Sequence, residues 1–158
     1  MRIFAPNFRT LVPLLLVALS ACSAEPNERV VQSLDEVPKH RAFFAEDPEL
    51  LHQGFADGCS RPGDELTQVT AQITRCSIPP TPDIAAALLV RYDGALEAPK
   101  ILIEKRTTKV ASGYEVELTY FAEVPQKSGP PRRIYVASRR IQRQVERLLS
   151  AAGGTIIE

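Results

Sequence analysis

GYEVELTYFAEV, residues 113–124, alternates side chains with a period of two. Tyr114, Val116, Leu118, Tyr120, Ala122 and Val124 fall on one parity, and Glu115, Glu117, Thr119, Phe121 and Glu123 on the other. Eleven residues of alternation broken only by Phe121 specify a strand with one buried face. Upstream, Ile101 and Ile103 begin a second strand, and Ser112-Gly113 lies between the two as a tight turn. A turn at that point pairs Ile103 with Ala122 and Ile101 with Val124, which gathers the apolar side chains on one face.

Residues 126–131 read as a loop and 132–137 as a third strand. Ser138 then caps a helix whose Ile141, Val145, Leu148 and Leu149 form an apolar stripe, closed by Gly153-Gly154. Residues 83–92 (DIAAALLVRY) read as a buried helix ended by Asp93-Gly94. Residues 79–158 are thus expected to be an α+β unit, a small antiparallel sheet with one or two helices packed on one face. The proline-rich stretch Ser77-Ile78-Pro79-Pro80-Thr81-Pro82 marks its boundary.

Before that boundary, residues 33–78 are expected to be a helical segment. Ser33 and Glu36 have capping-box spacing, but Pro38 limits the element to a turn. Asp47-Pro48-Glu49 is a helix start, and the helix it opens puts Leu51, Phe55 and Cys59 on one face, with Gly58 as a terminator. Residues 64–75 fit two patterns. Leu66, Val69 and Ile73 suit a helix, whereas Val69, Ala71 and Ile73 alternate as in a strand.

The N-terminus carries Arg2 and Arg9, then an apolar run from Leu11 to Leu19 and the small residues Ser20 and Ala21. This is a secretory signal pattern, and its apolar run is well short of the roughly 20 residues needed to span a bilayer. Leu19-Ser20-Ala21-Cys22 resembles the lipobox of bacterial lipoproteins. That resemblance implies cleavage of residues 1–21 and acylation of Cys22, and the polar stretch that follows reads as a tether over residues 22–32. More than one acyl chain is what makes such an anchor stable. Ser23 following the cysteine implies the outer membrane, periplasmic face, by the same resemblance.

Once Cys22 is assigned to lipid, Cys59 and Cys76 remain, and an oxidising periplasm predicts a disulfide between them. A metal site is the alternative, but His40 and His52 lack ligand spacing around them. The disulfide favours helix for residues 64–75: a strand carries Cys76 more than about 30 Å away, a helix about 18 Å.

The chain has 19 basic and 19 acidic residues and no tryptophan. Residues 22–98 hold 13 acidic and 6 basic residues, and residues 99–158 hold 6 acidic and 11 basic. The basic excess is densest at Arg132, Arg133, Arg139, Arg140, Arg143 and Arg147. Arg139, Arg143 and Arg147 recur at helical spacing opposite the apolar stripe. Such a face suits lipopolysaccharide phosphates, peptidoglycan carboxylates or an acidic protein; equally, it is a solvated surface paired with Glu146 or with the acidic first half. Nucleic acid is a poor partner for a slightly acidic mature chain in the periplasm.

No metal-ligand cluster, phosphate-cradling glycine loop or nucleophile elbow is recognisable, and no cofactor is implied. A His40/Asp47 or His52/Asp57 pairing reads as surface polar chemistry. The expectation is a protein that binds and does not catalyse. Ser33-Leu34-Asp35-Glu36-Val37, Phe43–Leu51 and Ala56-Asp57-Gly58-Cys59 together resemble the start of the small entry-exclusion lipoproteins of conjugative plasmids. The resemblance covers residues 33–59, leaves residues 79–158 without a counterpart, and departs from the family at Ser77-Ile78. It implies exclusion or immunity against a secretion system or toxin. An envelope structural or assembly role, touching peptidoglycan or an outer-membrane complex, is the alternative.

Cys22→Ala is expected to leave the protein unacylated and released from the membrane fraction. Wild-type protein that takes up no labelled palmitate and floats free of membranes contradicts the anchor.

Overall fold

The computed structural model describes residues 27–157. Its centre is β6, Gly113–Val124. β5, Lys100–Val110, runs antiparallel to it from Lys100 opposite Glu123 to Val110 opposite Gly113. The hairpin is the expected one with its register moved by two: Ile103 faces Tyr120, and Ile101 faces Ala122. A slip of two leaves every side chain on its own face. The turn is Ala111-Ser112, because Gly113 serves another purpose. A Cβ there would lie 2.2 Å from the Phe44 carbonyl oxygen, so the glycine admits a neighbouring strand.

That neighbour is β2, His40–Phe44, which pairs with residues 114–118 along the other edge of β6. Beyond it the same edge pairs with β7, Arg132–Ala137, from Ala122 opposite Ile134 to Val124 opposite Arg132. β1, Asn27–Val31, extends the sheet past β7, and β8, Thr155–Ile157, pairs with β2. On the far side β5 pairs with β4, Ile73–Ile78, which pairs with β3, Glu65–Gln68. All of these pairings are antiparallel.

The even-numbered residues of β6 face three short helices. α1, Glu49–Gly58, and α3, Arg139–Ala151, bury Leu51, Phe55 and Leu149 against Ala42, Val116 and Leu118. α2, Pro82–Arg91, and Tyr92 after it cover Ala122, Val124 and Ile134. The Tyr92 hydroxyl donates to Glu28 on β1 at 2.7 Å, and burial with this carboxylate pushes its pKa up to about 12. Ser138 caps α3 by accepting from the Ile141 amide.

The opposite face is a charged lattice, with Arg41 2.8 Å from Glu115 and Arg75 on Glu104. Phe121 is the exception in the β6 alternation because Leu102, Tyr135, Val31 and Val37 form a small second core there. A single 3-10 turn at Leu34–Glu36 leads into Val37, with the Ser33 amide donating to the Glu36 carboxylate as the capping-box spacing predicts.

The expected fold class is overturned. Residues 33–78 are not a helical segment ahead of a small α+β unit; they give β2, β3 and β4 to the same eight-stranded sheet, with α1 their single α-helix. Residues 64–75, expected to be helical, are a strand pair with a turn between Gln68 and Ile73. The distance to Cys76 favours a helix only for one uninterrupted element, and residues 64–75 are not one. A hairpin returns the chain and puts Cys76 opposite Leu66, and Thr70 Oγ1 holds the turn by accepting from the Gln72 and Ile73 amides. Within the expected 22–32 tether, residues 27–31 are strand β1. α2 is not a buried helix either: Leu88 is its one buried residue, while Ile84 is 50% and Val90 86% exposed.

Cys59, just past α1, and Cys76, on β4, form a disulfide with Cα atoms 5.8 Å apart. Closing a loop of this length is worth about 3 kcal/mol in the chain-entropy account. Changing both cysteines to Ser should lower the unfolding free energy by about that much in urea titrations. Two freely alkylatable thiols in non-reduced protein would show that this constraint is not made.

Candidate functional site

α1 stands between two openings in the helix-covered face of the sheet. Its buried line is Leu51, Phe55 and Cys59, as the sequence spacing predicts, and Phe55 borders both openings.

On one side lies a cavity of about 200 Å³ between α1 and α3. Its floor is Cys76, Ile78, Ile103, Leu118 and Tyr120, and α3 contributes Ile141, Val145 and Leu148. The α1 wall is Gly54 and Gly58, one turn apart and without side chains. A Cβ at either glycine would meet nothing within 4 Å. Apart from Thr119 and Tyr120 the lining is apolar. The Tyr120 hydroxyl lies 3.3 Å from that of Tyr135, and burial raises its pKa.

On the other side of α1, a cleft of about 560 Å³ runs between the helix and the β3–β4 hairpin. His52 projects into it from α1. Its Nε2 is 3.2 Å from Asp47 Oδ1, and its Nδ1 is 2.5 Å from the Nζ of Lys105 on β5. An Nε2–H donated to the carboxylate leaves Nδ1 free to accept from the lysine, so the three groups form a line. Lys105 is only 4% exposed, with the Phe55 ring 5.1 Å from its ammonium. Burial lowers the pKa of Lys105, and burial together with Lys105 lowers that of His52. Thr107, two residues along the same face of β5, lines the cleft, and its Oγ1 is buried without a hydrogen-bond partner.

The basic residues singled out from the sequence lie elsewhere. Arg139, Arg143 and Arg147 are exposed on α3. Arg143 Nε donates to the Arg139 carbonyl at 3.2 Å, and Glu146 accepts from Gln142 instead of an arginine. Among the described residues no carboxylate pairs with Arg139, Arg140, Arg143 or Arg147. Cys22 lies outside the described residues. Among those described, no group of three or more His, Cys, Asp or Glu could hold a metal ion, and no helix is long and apolar enough to cross a membrane.

The sequence considered His52 with Asp57 and His40 with Asp47; the structure joins His52 to Asp47 and leaves His40 apart. His40 is buried, stacks on Tyr120 at 5.8 Å, and has no partner for its Nε2. Lys105 was missed altogether. Its signal was present, since Lys105 shares the parity of the half-buried Ile101 and Ile103 and is itself buried. No family model matches the chain, and no curated protein or solved structure matches it either.

Burial pushes both histidines below the usual value of 6.5. Between that value and the lowered folded one, the unfolded chain binds more protons than the folded chain, so stability falls as pH falls. The urea midpoint should therefore drop as pH is lowered through about 6.5, and imidazole NMR titrations should give midpoints below it. Midpoints at or above the ordinary histidine value contradict the neutral, buried state of these rings.

Proposed function

We propose that this chain is an outer-membrane-anchored lipoprotein on the periplasmic side. Its folded part acts by binding a protein and holds one apolar side chain of that partner in the cavity between α1 and α3. The anchor rests on the lipobox resemblance of Leu19–Cys22. The binding mode rests on the cavity, and above all on its bare glycine wall. A glycine inside a helix costs about 1 kcal/mol relative to alanine, which applies to Gly54 in mid-helix, and nothing packs close enough to Gly54 to require one; Gly58, at the helix end, has open space beside it as well. What the two glycines do achieve is an open apolar hole.

Size selects the occupant. Small-molecule sites run from roughly 300 to 1,000 Å³, and an apolar hole of about 150 Å³ holds a single benzene ring. A cavity of about 200 Å³ therefore suits one anchoring side chain, the kind of buried aromatic or aliphatic group that dominates protein interfaces. Charge selects its surroundings. Arg140 and Arg147 are exposed on α3, the helix that gives Ile141, Val145 and Leu148 to the cavity. Unpaired arginines there favour an anchor flanked by acidic residues and accelerate its encounter. An exclusion or immunity lipoprotein facing a secretion system or toxin needs a one-partner contact of this kind.

A tryptophan peptide flanked by aspartates should shift the methyl resonances of Leu118, Ile141 and Val145 saturably, more tightly than its lysine-flanked counterpart, and less tightly as salt rises. Gly54→Leu, which fills the hole, should abolish the shifts. Gly54→Ala should raise stability by about 1 kcal/mol. Methyl resonances that do not respond, or that respond equally in Gly54→Leu, refute the reading.

A further inference from the structure

We propose that Lys105 is a carbonyl-capturing amine, which condenses with a small hydroxylated aldehyde or ketone in the cleft between α1 and the β3–β4 hairpin, with His52 carrying the proton. This goes beyond the binding function, since it concerns the other side of α1 and a covalent bond.

The geometry separates Lys105 from an ordinary structural lysine. A buried ammonium is normally held by a carboxylate, which locks its proton in place. Lys105 has no carboxylate at ion-pairing distance among the described residues. Its close polar partner is the Nδ1 of His52 at 2.5 Å, a neutral base that can take a proton. Asp47 sits 3.2 Å from the other ring nitrogen, where it fixes the tautomer and steadies the imidazolium once formed. The arrangement is nucleophile, base and orienting acid, each within reach of the next. Burial against Phe55 disfavours the charged amine as well. Beside it, the cleft of about 560 Å³ falls in the range of small-molecule sites. Thr107 lines the same cleft, and its buried hydroxyl has no hydrogen-bond partner.

The reaction balances without a further reactant. His52 takes a proton from the Lys105 ammonium, and the freed lone pair forms a C–N bond to the carbonyl carbon. A proton passes from that nitrogen to the new alkoxide, giving a carbinolamine. His52 returns its proton to the hydroxyl, which leaves as water while the nitrogen lone pair forms the C=N bond. One ammonium and one carbonyl give one protonated imine and one water. Thr107 is placed to hydrogen-bond the ligand's oxygen during the addition. The charged or titratable groups around this line are Asp47, Glu49, Lys109 and Tyr114.

Full-length protein treated with glycolaldehyde and cyanoborohydride at neutral pH, then mapped by peptide mass spectrometry, tests the proposal. Lys105 should be alkylated at least about tenfold faster than the exposed Lys127, a modest gain for a positioned base. His52→Ala should slow labelling at Lys105 by about 100-fold, leave Lys127 unchanged, and recover with imidazole in the buffer. Lys105→Met should abolish the fast adduct while thermal unfolding shows the fold intact. Thr107→Val should raise the glycolaldehyde concentration needed for half-maximal rate. Labelling spread evenly over exposed lysines with Lys105 spared overturns the proposal, as does a His52→Ala rate equal to wild type. Slowing that imidazole does not relieve removes His52 from the proton transfer and overturns the relay. Because Gly54→Leu closes only the other cavity, it should leave this labelling unchanged, which separates the two sites.

Discussion

One strand with both edges occupied governs this structure. β6 pairs with β5 along nearly its whole length, and its other edge is divided between β2 at one end and β7 at the other. Between Leu118 and Ala122 that edge has no strand beside it. The fork is filled by rings instead, with His40 stacked on Tyr120 and Tyr120 against Tyr135. Rings fill a fork less completely than a strand and its side chains would. The apolar cavity reaches this point with Leu118, Thr119 and Tyr120, and the rest of its floor is Ile103 on β5 and Cys76 and Ile78 on β4.

α1 turns that space into two distinct sites. Its buried line fixes it to the sheet, and the Cys59–Cys76 disulfide ties its C-terminal end to β4. The helix then has two flanks with opposite chemistry. Gly54 and Gly58 make one flank bare and apolar, while His52 makes the other polar. Phe55 belongs to both, as a wall of the cavity and as the ring beneath the Lys105 ammonium. A movement of α1 therefore alters both openings together, and the disulfide restricts such movement at the end where the sheet is nearest.

Local patterns were legible in the sequence, and relations across the chain were not. The β6 alternation, the β7 strand, the buried face of α1 and the Ser138 cap all depend on residues a few positions apart, where periodicity and capping chemistry act directly. The cysteine pairing was legible too: of the three cysteines, the lipobox resemblance set Cys22 aside and left Cys59 and Cys76. The hairpin register was missed by two because Gly113 looked like a turn residue; its actual constraint is Phe44, far away in sequence. The β3–β4 strands were missed because a turn held by Thr70 hydroxyl contacts carries no glycine or proline. The Asp47–His52–Lys105 line joins residues 53 positions apart, so only the fold could assemble it. A lysine on the parity of Ile101 and Ile103 was the one hint, and it became meaningful once the fold showed that lysine buried.

That hint also bears on why Lys105 is there. Its neighbours on the same face of the sheet are mixed: Leu118 opposite it on β6 and Ile103 two residues back are apolar, while Thr74 opposite it on β4 and Thr107 two residues on carry hydroxyls. A methionine or leucine at position 105 would fill the same space without desolvating an ammonium, and exchanges of buried ionic groups for apolar ones are often neutral or stabilising. Stability alone therefore gives no reason for the lysine. Nor does hydrogen bonding, since His52 would need only a water or a hydroxyl to satisfy its Nδ1. A charge on this face opposes folding unless its chemistry is used, and so does Gly54 on the opposite flank of α1. Both departures from the most stable sequence flank the same helix, each beside an opening large enough for a ligand group. Residues that cost stability in this way concentrate where a protein works, and here they concentrate on α1.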